Sequence, residues 1–216
     1  SITVASGTTL EGNASYVTGK TLDGAGTVNV LALDATLGAL LDNITATNIN
    51  VTMSNDSTLT SGARLPGSQS TLNGAYKLTV SDVANIVSSI TVAAGTTVEG
   101  NAAYVTGKTL NGAGTVNVLA LDATLGAVLN NITTSVINVT MNANAILTSN
   151  ARLPGSHSTL NGSYKLTVSD INNIASSITV ASGTIVEGNA ACVTGKTLNG
   201  AGTVNVLALD ATLGAL

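Results

Sequence analysis

The sequence predicts an all-β fold, a parallel β-solenoid, and three observations carry that prediction. The first is repetition. Residues 1–88 recur at 89–176 with 68 of 88 positions identical, and a third copy begins at 177 and runs to 216. The stretch at 19–39, GKTLDGAGTVNVLALDATLGA, returns at 107–127 and at 195–215, with Asp23 alone changed, to Asn111 and Asn199. Similarity at one fixed period is the mark of a repeat architecture. The second observation is composition: apolar residues make up 44%, yet Phe and Trp are absent and Tyr occurs four times. The apolar mass is therefore Ala, Val, Leu and Ile, whose small or β-branched side chains suit pleated backbone and a narrow interior. The third is continuity. At the boundary Ser88–Ser89, VANIVS runs directly into SITVAAGTTV with no Pro, charge run or Gly/Ser tract, so no linker separates the copies.

Within a copy, short alternating segments at 2–4, 27–30, 49–53 and 77–80 lie between Gly, Asn, Asp and Ser clusters. That is the pattern of short strands bounded by turns. The Asp-Gly of TLDGAG and the Asn-Gly of TLNGAY supply the positive φ of tight corners. Thr-Leu steps at 9–10, 21–22, 36–37, 58–59 and 71–72 recur beside these corners. Two segments carry helical spacing instead: Leu33, Leu37, Leu40, Leu41 and Ile44, and Val83, Ile86, Val87 and Ile90 behind Ser81 as N-cap. One short helical turn per copy is expected, at 82–88. The expected organisation is repeat one at 1–88, repeat two at 89–176 and a partial repeat three at 177–216, forming one continuous solenoid cut from a longer array. Coils of roughly 20–25 residues would fit about four to a repeat, each advancing by the strand spacing of about 4.8 Å. Ile2, Val4, Leu10, Val28, Val30, Leu37, Val51, Leu59, Leu78 and Val80 are the expected interior. The alternative architecture is a row of β-sandwich domains, since 88 residues approaches the size of one immunoglobulin-like unit.

Charged residues are 8% of the chain, with a net charge of −4. Seven basic residues spread over 216 positions give no patch for a phosphate backbone, so nucleic acid is not an expected partner. No apolar run reaches the roughly 18 residues of a membrane span. Ser1 rather than Met opens the chain, as in a processed or excerpted product.

The segments TVSDVANI (79–86) and TVSDINNI (167–174), with ITVAAGTTV and LALDAT nearby, resemble repeats of very long bacterial surface proteins. Those carry VSDTAANI-like motifs in aromatic-poor Ala/Thr/Val/Asn sequence; the central Thr-Ala-Ala is missing here. The resemblance implies an extracellular, elongated structural or adhesive protein, a giant adhesin or surface fibre, and transfers no active-site residue.

Residues suited to catalysis or ligand binding are few. His157 is the lone histidine and replaces Gln69 of the first copy, which argues against a triad or a histidine metal site. The acidic residues Glu11, Asp23, Asp34, Asp42, Asp56 and Asp82 do not cluster in sequence, and three of their counterparts are Asn111, Asn130 and Asn144. Paired-carboxylate hydrolysis needs both acids. Asn55-Asp56 and Asp42-Asn43 could offer oxygens to calcium, but no EF-hand loop or nonapeptide calcium run is present. DGAG and NGAG lack the Lys-Ser/Thr of a phosphate loop. Cys192 stands where the other copies have Tyr16 and Tyr104, so it forms no disulfide framework. Asn-x-Ser/Thr sequons at Asn13, Asn43, Asn50, Asn55, Asn131, Asn138 and Asn161 matter only in a glycosylating host. The expected catalytic, cofactor-binding and metal residues are therefore none, and no cofactor is expected. The expected function is a structural segment of an extracellular filament without catalysis, self-associating end to end or with neighbouring chains, and contacting surface polysaccharide. An adhesin stalk of tandem sandwich domains is the alternative.

Overall fold

The computed structural model describes residues 1–35, 37–123, 126–175 and 177–209. The chain is mostly β, with strands over 39% and helical turns over 11%. Every strand pairing among the described residues is parallel. The antiparallel facing sheets of a sandwich are not found among them. The result is a set of long parallel ladders, an arrangement compatible with a β-solenoid.

Ladder one stacks Thr9–Asn13, Thr27–Leu31, Asn48–Thr52, Ser70–Asn73, Ile90–Val92 and Leu110–Asn111. Ladder two has eight strands, Ser57–Thr58, Lys77–Val80, Thr97–Asn101, Thr115–Leu119, Val136–Thr140, Ser158–Asn161, Ile178–Val180 and Leu198–Asn199. Ladder three holds Ala145–Ile146, Lys165–Val168, Ile185–Asn189 and Thr203–Leu207. A short opening ladder pairs Ile2–Thr3 with Leu22–Asp23.

Register gives the sequence repeat its structural meaning. Gly12, Val30, Val51, Leu72 and Val92 are successive partners along ladder one. Eighty residues separate Gly12 from Val92. The 88-residue copy of Gly12 is Gly100, which pairs with Val80 in ladder two rather than with Val92. The next copy, Gly188, pairs with Val168 in ladder three. Each copy of a strand thus moves to the next ladder, because 88 residues is eight more than the 80 that carry Gly12 to Val92 through four successive pairings.

The interior forms as alternation requires. In Thr27–Leu31 and Thr115–Leu119 the valines point inward and Thr, Asn and Leu face out, the period of two that pleating imposes. Val4, Val28, Val30, Val51, Leu59, Leu78 and Val80 are buried as expected. Three expectations need correction. Ile2 is exposed and Leu10 half-buried, whereas their copies Ile90 and Val98 are buried, because only the later pair has strands on both sides. Leu37 is half-buried, and Leu33, Leu41 and Ile44 take the interior places instead. Thr36 and residues 210–216 lie outside the described residues, as does part of the Thr36-Leu37 step.

Corners are made largely as the sequence indicated. Gly24 and Gly74 have φ of 106° and 102°. A Cβ at Gly24 would sit 2.5 Å from the Val4 carbonyl oxygen of the preceding pass, so stacking as well as φ demands glycine. Ala32 and Ala120 turn the corner after their strands at φ 50° and 51°, a left-handed conformation costly to any residue with a Cβ. Helical turns are more numerous than expected: the first copy holds an α-turn at Ala14–Val17 and 3-10 turns at Leu33–Ala35 and Val83–Asn85. The N-cap of the last is Asp82, not Ser81.

Candidate functional site

The outward faces of the ladders are polar and bonded from strand to strand. On ladder one Asn50 Nδ2 donates to Asn29 Oδ1 at 2.9 Å and Asn29 Nδ2 to Glu11 at 3.3 Å. On ladder two Asn138 donates to Asn117 at 3.0 Å and Asn117 to Glu99 at 3.2 Å. In-register parallel pairing sets identical residue types one above another, which is what lets amides chain this way. Glu99 also meets Lys77 at 3.0 Å, and Glu187 meets Lys165 at 2.8 Å. The hydrogen bond and charge of Glu99 raise the Lys77 pKa, and the bond to Lys165 holds the Glu187 carboxyl low. These pairs lie at the surface, the lysines more open than the glutamates, and contribute little to stability.

One concavity opens where ladder two begins. Asp34, Leu37, Asn55, Asp56, Ser57, Thr58, Lys77 and Thr79 line a recess of about 530 Å³. Two of the candidate carboxylates therefore come together. Each is already committed to the fold. Asp34 accepts from Ser54 N and Ser54 Oγ, both at 2.6 Å. Burial works against its charge, but the Ser54 hydroxyl and N–H hold its pKa below the ordinary value. Asp56 Oδ1 accepts from the Lys77 N–H at 2.7 Å, and in the second copy Asn144 Oδ1 accepts from Lys165 N at 2.7 Å. An amide serves as well as a carboxylate there, so the position needs an acceptor and not a charge. The second recess, about 380 Å³ around Asp122, Asn144, Ala145, Ile146 and Lys165, exchanges Ser57 and Thr58 for apolar side chains. A recess whose lining changes from polar to apolar between copies presents no repeated chemistry.

The remaining candidates are dispersed. Asp82 caps the turn at Val83–Asn85 by accepting from Ala84 N at 2.8 Å. His157 bridges Ser177 Oγ at 2.7 Å and Thr179 Oγ1 at 2.8 Å, on an exposed face. Cys192 and Tyr104 both pack, half-buried, against the core, while Tyr16 stands 74% exposed. Among the described residues no group of three or more His, Cys, Asp or Glu is placed to hold a metal ion.

The residue that sequence reasoning passed over is Asn85, with its copy Asn173. Both are fully buried. Asn85 Oδ1 accepts from the N–H groups of Ser81 and Asp82, both at 3.0 Å. Its Nδ2 donates to Thr60 O at 2.8 Å and Ala63 O at 2.9 Å in the preceding pass. The spacing Asp82-x-x-Asn85 is a capping-box signature, and it was the available signal. The VSDxxNI segment is thus a corner latch. Asp82 caps, Asn85 ties two passes together, and Ile86 fills the core beneath.

No protein-family model, curated protein or solved structure matches this chain.

Proposed function

We propose that the chain is a stiff, non-catalytic segment of an extracellular fibre at a cell surface. In this reading it is one continuous β-solenoid of 88-residue cassettes, each winding four coils and one further side. The observation that carries the reading is register across the cassette boundary. Leu72 pairs with Val92 and Lys77 with Thr97, straddling residue 88, as evenly as any pair within a cassette. An array of this kind lengthens by copying a cassette and bends little, because every coil contacts only its neighbours yet has no hinge between modules. The polar residues that would do chemistry are spent on caps and strand-to-strand bonds, which favours a spacer over an enzyme. Its partners in this role are further coils of the same kind, end to end or alongside, and surface polysaccharide.

The alternative of tandem immunoglobulin-like domains is disfavoured by the parallel pairing. Solution scattering or negative-stain imaging of the 216-residue chain separates the two. About ten coils at about 4.8 Å each give a smooth rod near 50 Å long, whereas globules joined at constrictions would refute the proposal.

A further inference from the structure

The cations of this acidic chain are sorted by side. Lys77 and Lys165 sit on strands and pair with Glu99 and Glu187. The other five, Lys20, Arg64, Lys108, Arg152 and Lys196, fall at intervals of 44 residues, and each lies on the irregular side that connects one ladder to the next. Hydrogen bonds, all but one of them between backbone groups, join that side from pass to pass. Gly19 N bonds Leu40 O, Leu40 pairs with Arg64, and Leu65 N bonds Asn85 O. Lys108 Nζ reaches Ile86 O at 2.8 Å, Gly107 N bonds Val128 O, and Val128 pairs with Arg152. Arg64, Lys108 and Arg152 are therefore each two passes apart, about 10 Å along the stack at the usual strand spacing.

Among the described residues none of these five has a carboxylate in ion-pair contact. The guanidinium groups are held in place by backbone carbonyls. Arg64 Nη1 donates to Ser61 O at 3.0 Å and Ala63 O at 2.9 Å, and Arg152 Nη1 to Ser149 O and Ala151 O, both at 2.8 Å. The copies also differ in charge, although Glu11, Asp34 and Asp82 persist as Glu99, Asp122 and Asp170. Every cation of the first copy is kept in the second, while Asp23, Asp42 and Asp56 become Asn111, Asn130 and Asn144. The change at 130 falls beside Lys108: Leu110 N bonds Asn131 O, which sets Asn130 on the pass next to that lysine. Asp42 holds the same place beside Lys20.

We infer that this connecting side, centred on Arg64, Lys108 and Arg152, binds an acidic polysaccharide that carries one anionic group on every second sugar. Charge complementarity selects an anion, and the spacing selects its kind. A duplex presents a phosphate charge every ~1.7 Å of axis, far denser than one cation per two passes. A glycan with a carboxylate or sulfate per disaccharide matches the spacing far better. The side also moves round the stack, since each cassette shifts to the next ladder, so the cations follow a winding path. A flexible soluble chain can follow it; a flat crystalline lattice cannot. This rests on the reading that surface polysaccharide is a partner and names its class, and it is tested separately from rod shape.

The experiment measures binding of the 216-residue chain at low salt to hyaluronate, with one carboxylate per disaccharide, and to keratan sulfate, with about one sulfate per disaccharide, using neutral dextran and a DNA duplex as comparisons. Binding to at least one acidic glycan, weakened by added salt and stronger than to the duplex, is expected. The R64Q/K108Q/R152Q variant should bind about tenfold more weakly or worse, as three lost contacts imply. Because the arginines also bond backbone, R64K/R152K serves as the second variant: it keeps the charge and should keep binding. K77Q/K165Q, which removes the paired cations, should bind as the parent does. No binding to either acidic glycan, preference for DNA, or equal loss in K77Q/K165Q would overturn the inference. Carboxylate and sulfate sources are told apart by which of the two polymers binds.

Discussion

The pentapeptide Thr-Val-Asn-Val-Leu occurs in the middle of the stack at Thr115–Leu119 and in its last described strand at Thr203–Leu207. In the middle, Val116 and Val118 are wholly buried; in the last strand, Val204 and Val206 are 38% and 47% exposed. The local sequence, the strand length and the pairing below are the same: Val116 rests on Val98 and Val204 on Val186. What differs is the pass above. Val116 and Val118 are covered by Ile137 and Val139, and no described strand covers the last one. Burial in this protein is therefore a property of stacking between passes and only weakly of any single pass. A narrow interior of Val, Leu and Ile has no large aromatic side chains to make one pass self-sufficient. Stability should depend on position along the stack even where sequence does not.

The largest test puts the same substitution at both places. Val116→Asp sets an unpaired charge in a dry interior and should cost several kcal/mol, whereas Val204→Asp in the 216-residue chain should cost a small fraction of that. Denaturant melts of the two variants read the difference directly. Equal losses would mean that burial is set within a pass.

A second test addresses the bonds that join passes at corners. Asn85→Ala strips partners from two N–H groups and two carbonyls around a fully buried site. Unmade buried hydrogen bonds of this kind should cost about 3 kcal/mol or more in total. Ala84→Ser, one residue away and half-exposed, should be nearly silent. A mild effect of Asn85→Ala in calorimetry would show that the latch is dispensable.

Smaller effects sharpen the contrast between corner and strand. Ala120 holds a left-handed φ of 51°, so Ala120→Gly relieves strain that only partly cancels against the extra freedom of the unfolded chain. A gain of about 0.5 kcal/mol is expected, seen as a modest rise in Tm. Least in size is the acid limb. Asp34 has a folded pKa below its unfolded one because Ser54 bonds its charged form. Its contribution is complete above the ordinary aspartate range and is lost as pH falls through the folded value, below about pH 4. Urea midpoints followed from pH 6 down to 3 should fall less steeply in Asp34→Asn than in the parent.

Much of the fold was legible because its determinants are local. The alternation at 27–30 and 77–80 named inward and outward faces, and the Asp-Gly and Asn-Gly pairs named corners. Where the reading faltered, the missing term was a neighbouring pass. Leu10 carries the right pattern in the wrong place, since its strand has a described partner on one side only. Asn85 looked like one polar residue among many, since its two carbonyl partners lie more than twenty positions earlier. The recess was equally hidden. Nothing in the sequence says that Asp34 and Asp56 share a hollow, or that Ser54 and the Lys77 N–H already occupy them.

By itself the sequence determined the period, the strand-forming segments, the thin aromatic-free interior and the absence of breaks between copies. Tertiary structure alone decided how many residues make one pass, and therefore which ladder each copy joins. Passes of 18, 21, 21 and 20 residues carry Gly12 to Val30, Val51, Leu72 and Val92, and no local motif encodes that count. It is set by which inward side chains settle on those below and by how much chain each corner absorbs. Parallel strands have no tight hairpin to fix their register. The eight residues beyond those four pairings place successive copies of one strand on different ladders.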